Sequence, residues 1–113
     1  MALKIISAGR TGIGSMAREV AVELGLETGV GHISDADATV LYGDPEFPDA
    51  KAIIENSLRA NKPYLVNPLP DELDAFIREL RVQVLYVAGD SRIAHEFLDA
   101  YRTAFRQAML AFV

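Results

Sequence analysis

The sequence predicts an α/β domain of three layers, α/β/α, around a mainly parallel sheet of four to five strands. Two observations carry that expectation. Short continuous apolar runs alternate with amphipathic segments of helical period, and apolar runs without alternation suit strands covered on both faces, as in parallel sheets. Glycine follows three of the runs, at Gly9, Gly43 and Gly89, where strands of such a sheet would hand over to loops. At 113 residues the whole chain, 1–113, is expected to be one domain.

The elements follow in order. Leu3 to Ser7 reads as a buried strand. Met16, Ala17, Val20, Ala21 and Leu24 then recur at helical spacing, with Arg18, Glu19 and Glu23 on the other face and Gly25 as the stop. Thr28 to Ile33 is a weak, glycine-broken strand. Ala38 to Tyr42 is a stronger one, ended by Gly43. Pro45 and Pro48 punctuate a loop, and a second helix opens at Pro48 or Asp49 with Ala52, Ile53, Ser57 and Ala60 as its inner face. Tyr64 to Val66 is the next strand. Asp71 is expected to cap a helix through Leu73, Phe76, Ile77 and Leu80. Gln83 to Ala88 is a further buried strand, followed by Gly89-Asp90-Ser91. The last helix is expected from about Ile93 to the end, with Phe97, Tyr101, Phe105 and Phe112 on its apolar side.

Bulk chemistry bounds the function. The net charge of −5 argues against nucleic acid and against anionic membrane as partners, because both call for basic patches. With no cysteine there is no disulfide, thiolate metal site or cysteine nucleophile. No apolar run reaches 18 residues and no signal peptide is evident, so a cytoplasmic location is expected. The apolar end of the chain, Ala108 to Val113, leads us to expect a homodimer or higher homo-oligomer.

The chemistry-bearing stretch is Lys4 to Ser15. A strand, a glycine-bearing turn and a helix start form an anion site: the turn allows close backbone approach, and the helix presents unpaired N–H groups and a positive dipole end. Arg10 and Thr11 add a guanidinium and a hydroxyl. Gly9, Gly12 and Gly14 are not spaced as a dinucleotide fingerprint, and no Walker lysine follows. The competing reading is a tight turn that binds nothing. Ligands of open parallel sheets bind outside the strands' carboxyl ends. The expected ligand- or phosphate-binding residues are therefore Ser7, Gly9, Arg10, Thr11, Gly12, Gly43, Gly89 and Ser91. Asp44 and Asp90 suit a ribose hydroxyl or a helix cap, with capping preferred. His32 and His95 have no ligand-spaced partner, Asp35 and Asp37 are expected to stay solvated, and no residue is assigned as catalytic or as a metal ligand.

Several stretches together carry a resemblance. Lys4-Ile5-Ile6-Ser7-Ala8-Gly9-Arg10-Thr11-Gly12, the helix end Ala21 to Gly29, Asp37 to Leu41, Asn61-Lys62-Pro63 and Val84 to Gly89 resemble, in the same order, the circularly permuted YpsA branch of the SLOG superfamily. Its members often carry the name "putative molybdenum carrier protein". The chain looks like a shortened, divergent member. The resemblance implies a Rossmann-like sheet and a nucleotide or nucleotide derivative at the glycine loops. The related phosphoribohydrolases carry a Pro-Gly-Gly-x-Gly-Thr-x-x-Glu motif that this chain lacks, so no enzymatic activity is carried over. Three readings follow: a non-catalytic nucleotide-binding sensor or carrier module, a degenerate Rossmann-like domain for protein interaction, and a nucleotide-processing N-glycoside hydrolase. No cofactor is assigned.

Overall fold

The computed structural model describes residues 3–8, 12–89 and 95–113. Five strands form one sheet: β1 (Lys4–Ser7), β2 (Glu27–Val30), β3 (Ala38–Tyr42), β4 (Tyr64–Val66) and β5 (Val84–Gly89). Their spatial order is β2-β1-β5-β3-β4, and every pairing is parallel. Four helices connect or follow them: α1 (Gly12–Leu24), α2 (Pro48–Arg59), α3 (Pro70–Glu79) and α4 (His95–Met109). A 3-10 turn at Ile33–Asp35 lies between β2 and β3, and another at Leu110–Phe112 ends the chain.

The two faces of the sheet are unequal. On the first, α1, α3 and α4 cover a core that contains Ile5, Val40, Tyr42, Leu85 and Val87 from the strands and Met16, Val20, Leu73, Ile77 and Phe105 from the helices. Tyr42 stands at the centre of the aromatic packing: its ring centroid lies 5.3 Å from that of Tyr101 and 6.4 Å, edge-on, from that of Phe105. Burial pushes its phenol pKa up. The second face is thinner. Ile6, Ala36 and Tyr86 form a small cluster there with Ile33, Val84 and Ala88, and α2 lies over the same side.

One rule of chain geometry explains this division. The crossovers that move toward the β2 edge, β1→β2 and β4→β5, carry α1 and α3 on the first face. Those that move the other way, β2→β3 and β3→β4, carry the 3-10 turn and α2 on the second. Crossovers of a single hand must separate in this way.

Three helices end alike. The N–H of Leu26, Lys62 and Val82 reaches back to the carbonyl of Ala21, Ser57 and Ile77, at 2.8, 2.9 and 3.0 Å. The residue before each has positive φ: Gly25 at 79°, Asn61 at 55° and Arg81 at 52°. These are Schellman terminations. Gly25 is the stop that the spacing anticipates; Asn61 and Arg81 do the same work without glycine.

Three local expectations are corrected. Asp71 is the second residue of α3 rather than its cap; Leu69 is the N-cap and Pro70 the first residue, its fixed φ suiting that place. On α2 the buried residues are Ala50 and Ser57, while Ala52 and Ala60 face out, because the helix rests on the sheet at a shallow contact. Asp35 and Asp37 are not merely solvated. Asp35 accepts from the His32 N–H at 2.9 Å, and Asp37 accepts from the Gln83 and Val84 N–H groups, both at 2.9 Å. At the chain end Phe112 packs against the main core with the Arg78 guanidinium 4.9 Å above its ring, while Leu110 and Val113 stay exposed.

Candidate functional site

The carboxyl ends of the five strands share one edge of the sheet, and there the connections diverge. β1 sends its chain toward β2 over the first face, and β3 sends its chain toward β4 over the second, with β5 between them. That divergence is the switch point at which open α/β sheets take their ligands. Ser7, Gly43 and Gly89 lie there as sequence reasoning expects, at or just beyond the ends of β1, β3 and β5. Gly12 opens α1 with φ 68°, and a side chain added there would meet nothing within 4 Å. No acidic residue occupies the first turn of α1, so the helix does not neutralise the positive end of its own dipole. Gly9, Arg10, Thr11 and Ser91 lie outside the described residues, as does Asp90.

Each of the other three residues also has an intramolecular task. The Ser7 hydroxyl is buried and donates to the Gly14 carbonyl at 3.2 Å, fastening the strand end to the first turn of α1. Gly43, at φ 107°, donates its N–H to Asn67 Oδ1 and accepts from Asn67 Nδ2, both at 2.8 Å. The loops after β3 and β4 are therefore clipped by one carboxamide. Gly89 is required by packing: a Cβ there would stand 2.4 Å from the Tyr42 carbonyl oxygen and 2.6 Å from Ile13 Cγ1. Asp44 accepts from the Glu46 N–H at 2.9 Å, which makes it a turn residue rather than a helix cap.

Sequence reasoning missed a second feature beside this edge. A cavity of about 360 Å³ opens on the thin face, lined by His32, Ile33, Ser34, Ile53, Asn56, Ala60 and Tyr86. These residues come from the β2–β3 link, α2 and β5, three elements far apart in sequence, so no local motif marks them. The link is held at both ends. Gly31 donates its N–H to the Ser7 carbonyl at 3.2 Å. Lys62, just beyond α2, donates from Nζ to the carbonyls of Ser34 and Ala36 at 2.9 and 2.6 Å, with a longer contact to Ile33 at 3.3 Å. Tyr86 is nearly buried; burial raises its phenol pKa, while a backbone hydrogen bond from Ala8 acts the other way. Among the described residues no three histidine, aspartate or glutamate side chains gather as a metal site.

The fold defines a class, a single three-layer Rossmann-like α/β unit built on a parallel sheet. The structure is similar to the 1.45 Å crystal structure of "Putative molybdenum carrier protein" from Syntrophus aciditrophicus SB. The TM-score is 0.66, covering 99% of this chain and 95% of that one at 17% identity, so the likeness is one of fold. No protein-family model matches the chain. No curated protein matches it either.

Proposed function

We propose that this protein is a small nucleotide- or nucleotide-derivative-binding module, sensor- or carrier-like, that uses the glycine loops at the strand carboxyl ends. The observation that carries the reading is that the carboxyl ends of β1, β5 and β3 lie side by side where the crossovers diverge, beside a helix whose first turn holds no acidic residue. The structural likeness to a protein named as a molybdenum carrier agrees with a ligand-carrying role and adds molybdate to the anions worth testing. The circularly permuted YpsA and SLOG assignment belongs to this proposal too, as it rests on the sequence resemblance.

A thermal-shift panel of mononucleotides, dinucleotides, cyclic nucleotides, sugar phosphates and molybdate tests it. A ligand at 100 times its Kd stabilises the fold by about 2.7 kcal/mol, on the order of a ten-degree rise for a domain of this size. Arg10→Ala is expected to weaken binding by about 1.5–3 kcal/mol, as loss of a charge-assisted hydrogen bond would. An unmoved melting point at millimolar ligand would leave the second reading, a protein-interaction domain. A specific observation favours that alternative: Ser7, Gly43 and Gly89 are each accounted for by internal contacts.

A further inference from the structure

We propose that the cavity between the 3-10 turn, α2 and β5 is a nucleobase subsite: it takes a neutral, planar heteroaromatic ring with an amide-like edge, such as a purine. This rests on the nucleotide reading and names the end of the ligand that the glycine loops do not hold.

Size and lining carry it. At about 360 Å³ the cavity falls at the small end of ligand pockets, which run from roughly 300 to 1,000 Å³. Ile33, Ile53 and Ala60 supply apolar surface. His32, Asn56 and Tyr86 supply the polar groups. The Asn56 carboxamide both donates and accepts, as does a neutral imidazole, and the Tyr86 hydroxyl still has its proton to donate while its oxygen accepts from Ala8. Among the described residues no arginine, lysine, aspartate or glutamate lines the space. Among the described residues the nearest cation, Lys62, is already engaged by backbone carbonyls, so the described lining offers a phosphate or an oxyanion little, whereas a neutral heteroaromatic edge finds partners of both polarities.

Two contacts place the cavity against the anion edge. The Tyr86 ring lines the cavity while its hydroxyl meets Ala8, immediately before the glycine turn. Gly31, next to His32, is bonded to the Ser7 carbonyl. A base held in the cavity therefore has the end of β1 beside it. Buried polarity is also unspent nearby. Ser57, between Asn56 and the turn that bears Ala60, and Thr39, the register partner of Tyr86, each bury a hydroxyl with no hydrogen-bond partner among the described residues.

The test measures binding of adenosine, guanosine, their 5′-monophosphates and inorganic phosphate by calorimetry, to the wild-type chain and to Ala60→Phe and Asn56→Leu. Both positions are exposed at the rim, so the fold should survive, and circular dichroism with the melting point verifies that. At least one nucleoside should bind the wild type without any phosphate. Ala60→Phe, which fills the space, should weaken nucleoside and nucleotide at least tenfold and leave inorganic phosphate unchanged. Asn56→Leu should erase the preference between the two bases. In ¹H–¹⁵N spectra the Asn56 side-chain amide should shift with nucleoside. Phosphate binding without any nucleoside binding, or nucleotide affinity unaffected by Ala60→Phe, would overturn the base subsite and leave the anion reading intact. Nucleoside binding that a 5′-phosphate does not improve would keep the base subsite and remove the anion reading. No binding by any of the five probes would overturn both.

Discussion

Gly89 shows how a single hydrogen can decide a strand end. The space where its Cβ would go is filled by the Tyr42 carbonyl and by Ile13, both inside the packed first face. Gly89→Ala is therefore expected to cost about 1–3 kcal/mol, the usual range for overpacking a closed core, measured as a lower urea midpoint. Arg81 presents the opposite case. It holds a left-handed conformation at φ 52°, where a Cβ is unfavourable. Arg81→Gly should raise stability by about 0.5–1 kcal/mol, since relief of that strain exceeds the added freedom of the unfolded chain; an unchanged or lower midpoint would contradict it. Tyr42 gives the pH dependence. Its folded pKa lies above its ordinary value of 10.0, so the folded state keeps a proton that the unfolded chain releases. The contribution is fully present below pH 10 and is lost as pH rises beyond it, by at most about 1.4 kcal/mol per pH unit. Denaturation midpoints at pH 9 and pH 11 should differ, and Tyr42→Phe should flatten part of that slope.

At the scale of elements, α4 is fixed to its neighbours chiefly by what it buries. Phe105, Ala108 and Met109 enter the main core. Two ion pairs join α4 to α1 at the surface, Arg106 with Glu23 at 2.8 Å and Arg102 with Glu19 at 3.0 Å. Those side chains are largely exposed, so each pair is worth no more than about 1 kcal/mol and weakens with salt. A double-mutant cycle on Glu23 and Arg106 should give a coupling below about 1 kcal/mol, whereas Phe105→Ala should cost about 3–5 kcal/mol. The 3-10 turn depends instead on polar side chains, the Asp35 carboxylate on the His32 N–H and the Lys62 ammonium that serves the Ser34 and Ala36 carbonyls. Its position beyond α2 is set by the Schellman ending of that helix, so the termination of one element anchors another.

For the whole molecule, the sheet leaves β2 and β4 as edges. Val30 on β2 is 72% exposed, and Val22 on the neighbouring α1 is 67% exposed. We propose a homo-oligomer that covers this edge, a firmer basis than the chain end, where Phe112 is already packed inward. Light scattering at micromolar concentration should return about twice 12.3 kDa, and Val30→Lys should return the single mass. No described helix is long and apolar enough to cross a membrane.

By itself the sequence determined the alternation of strands and helices, because apolar runs and helical periods are local properties that follow from backbone geometry. It also determined where strands hand over to loops, since glycine at strand ends is visible in one dimension. Gly25 as a helix stop was equally legible, because glycine in the left-handed region is common enough to read directly. Asn61 and Arg81 in the same role were not, because their conformation is imposed by the packing of the strands that follow. The strand order was decided only in three dimensions, where β5 returns to the middle of the sheet after β4 has formed its edge. That insertion creates the switch point and brings Tyr86 under α2 and against Ala8. The 360 Å³ cavity exists for the same reason. His32, Asn56 and Tyr86 are 24 and 30 positions apart in sequence, and only crossovers of one hand over a shared sheet bring them to one space.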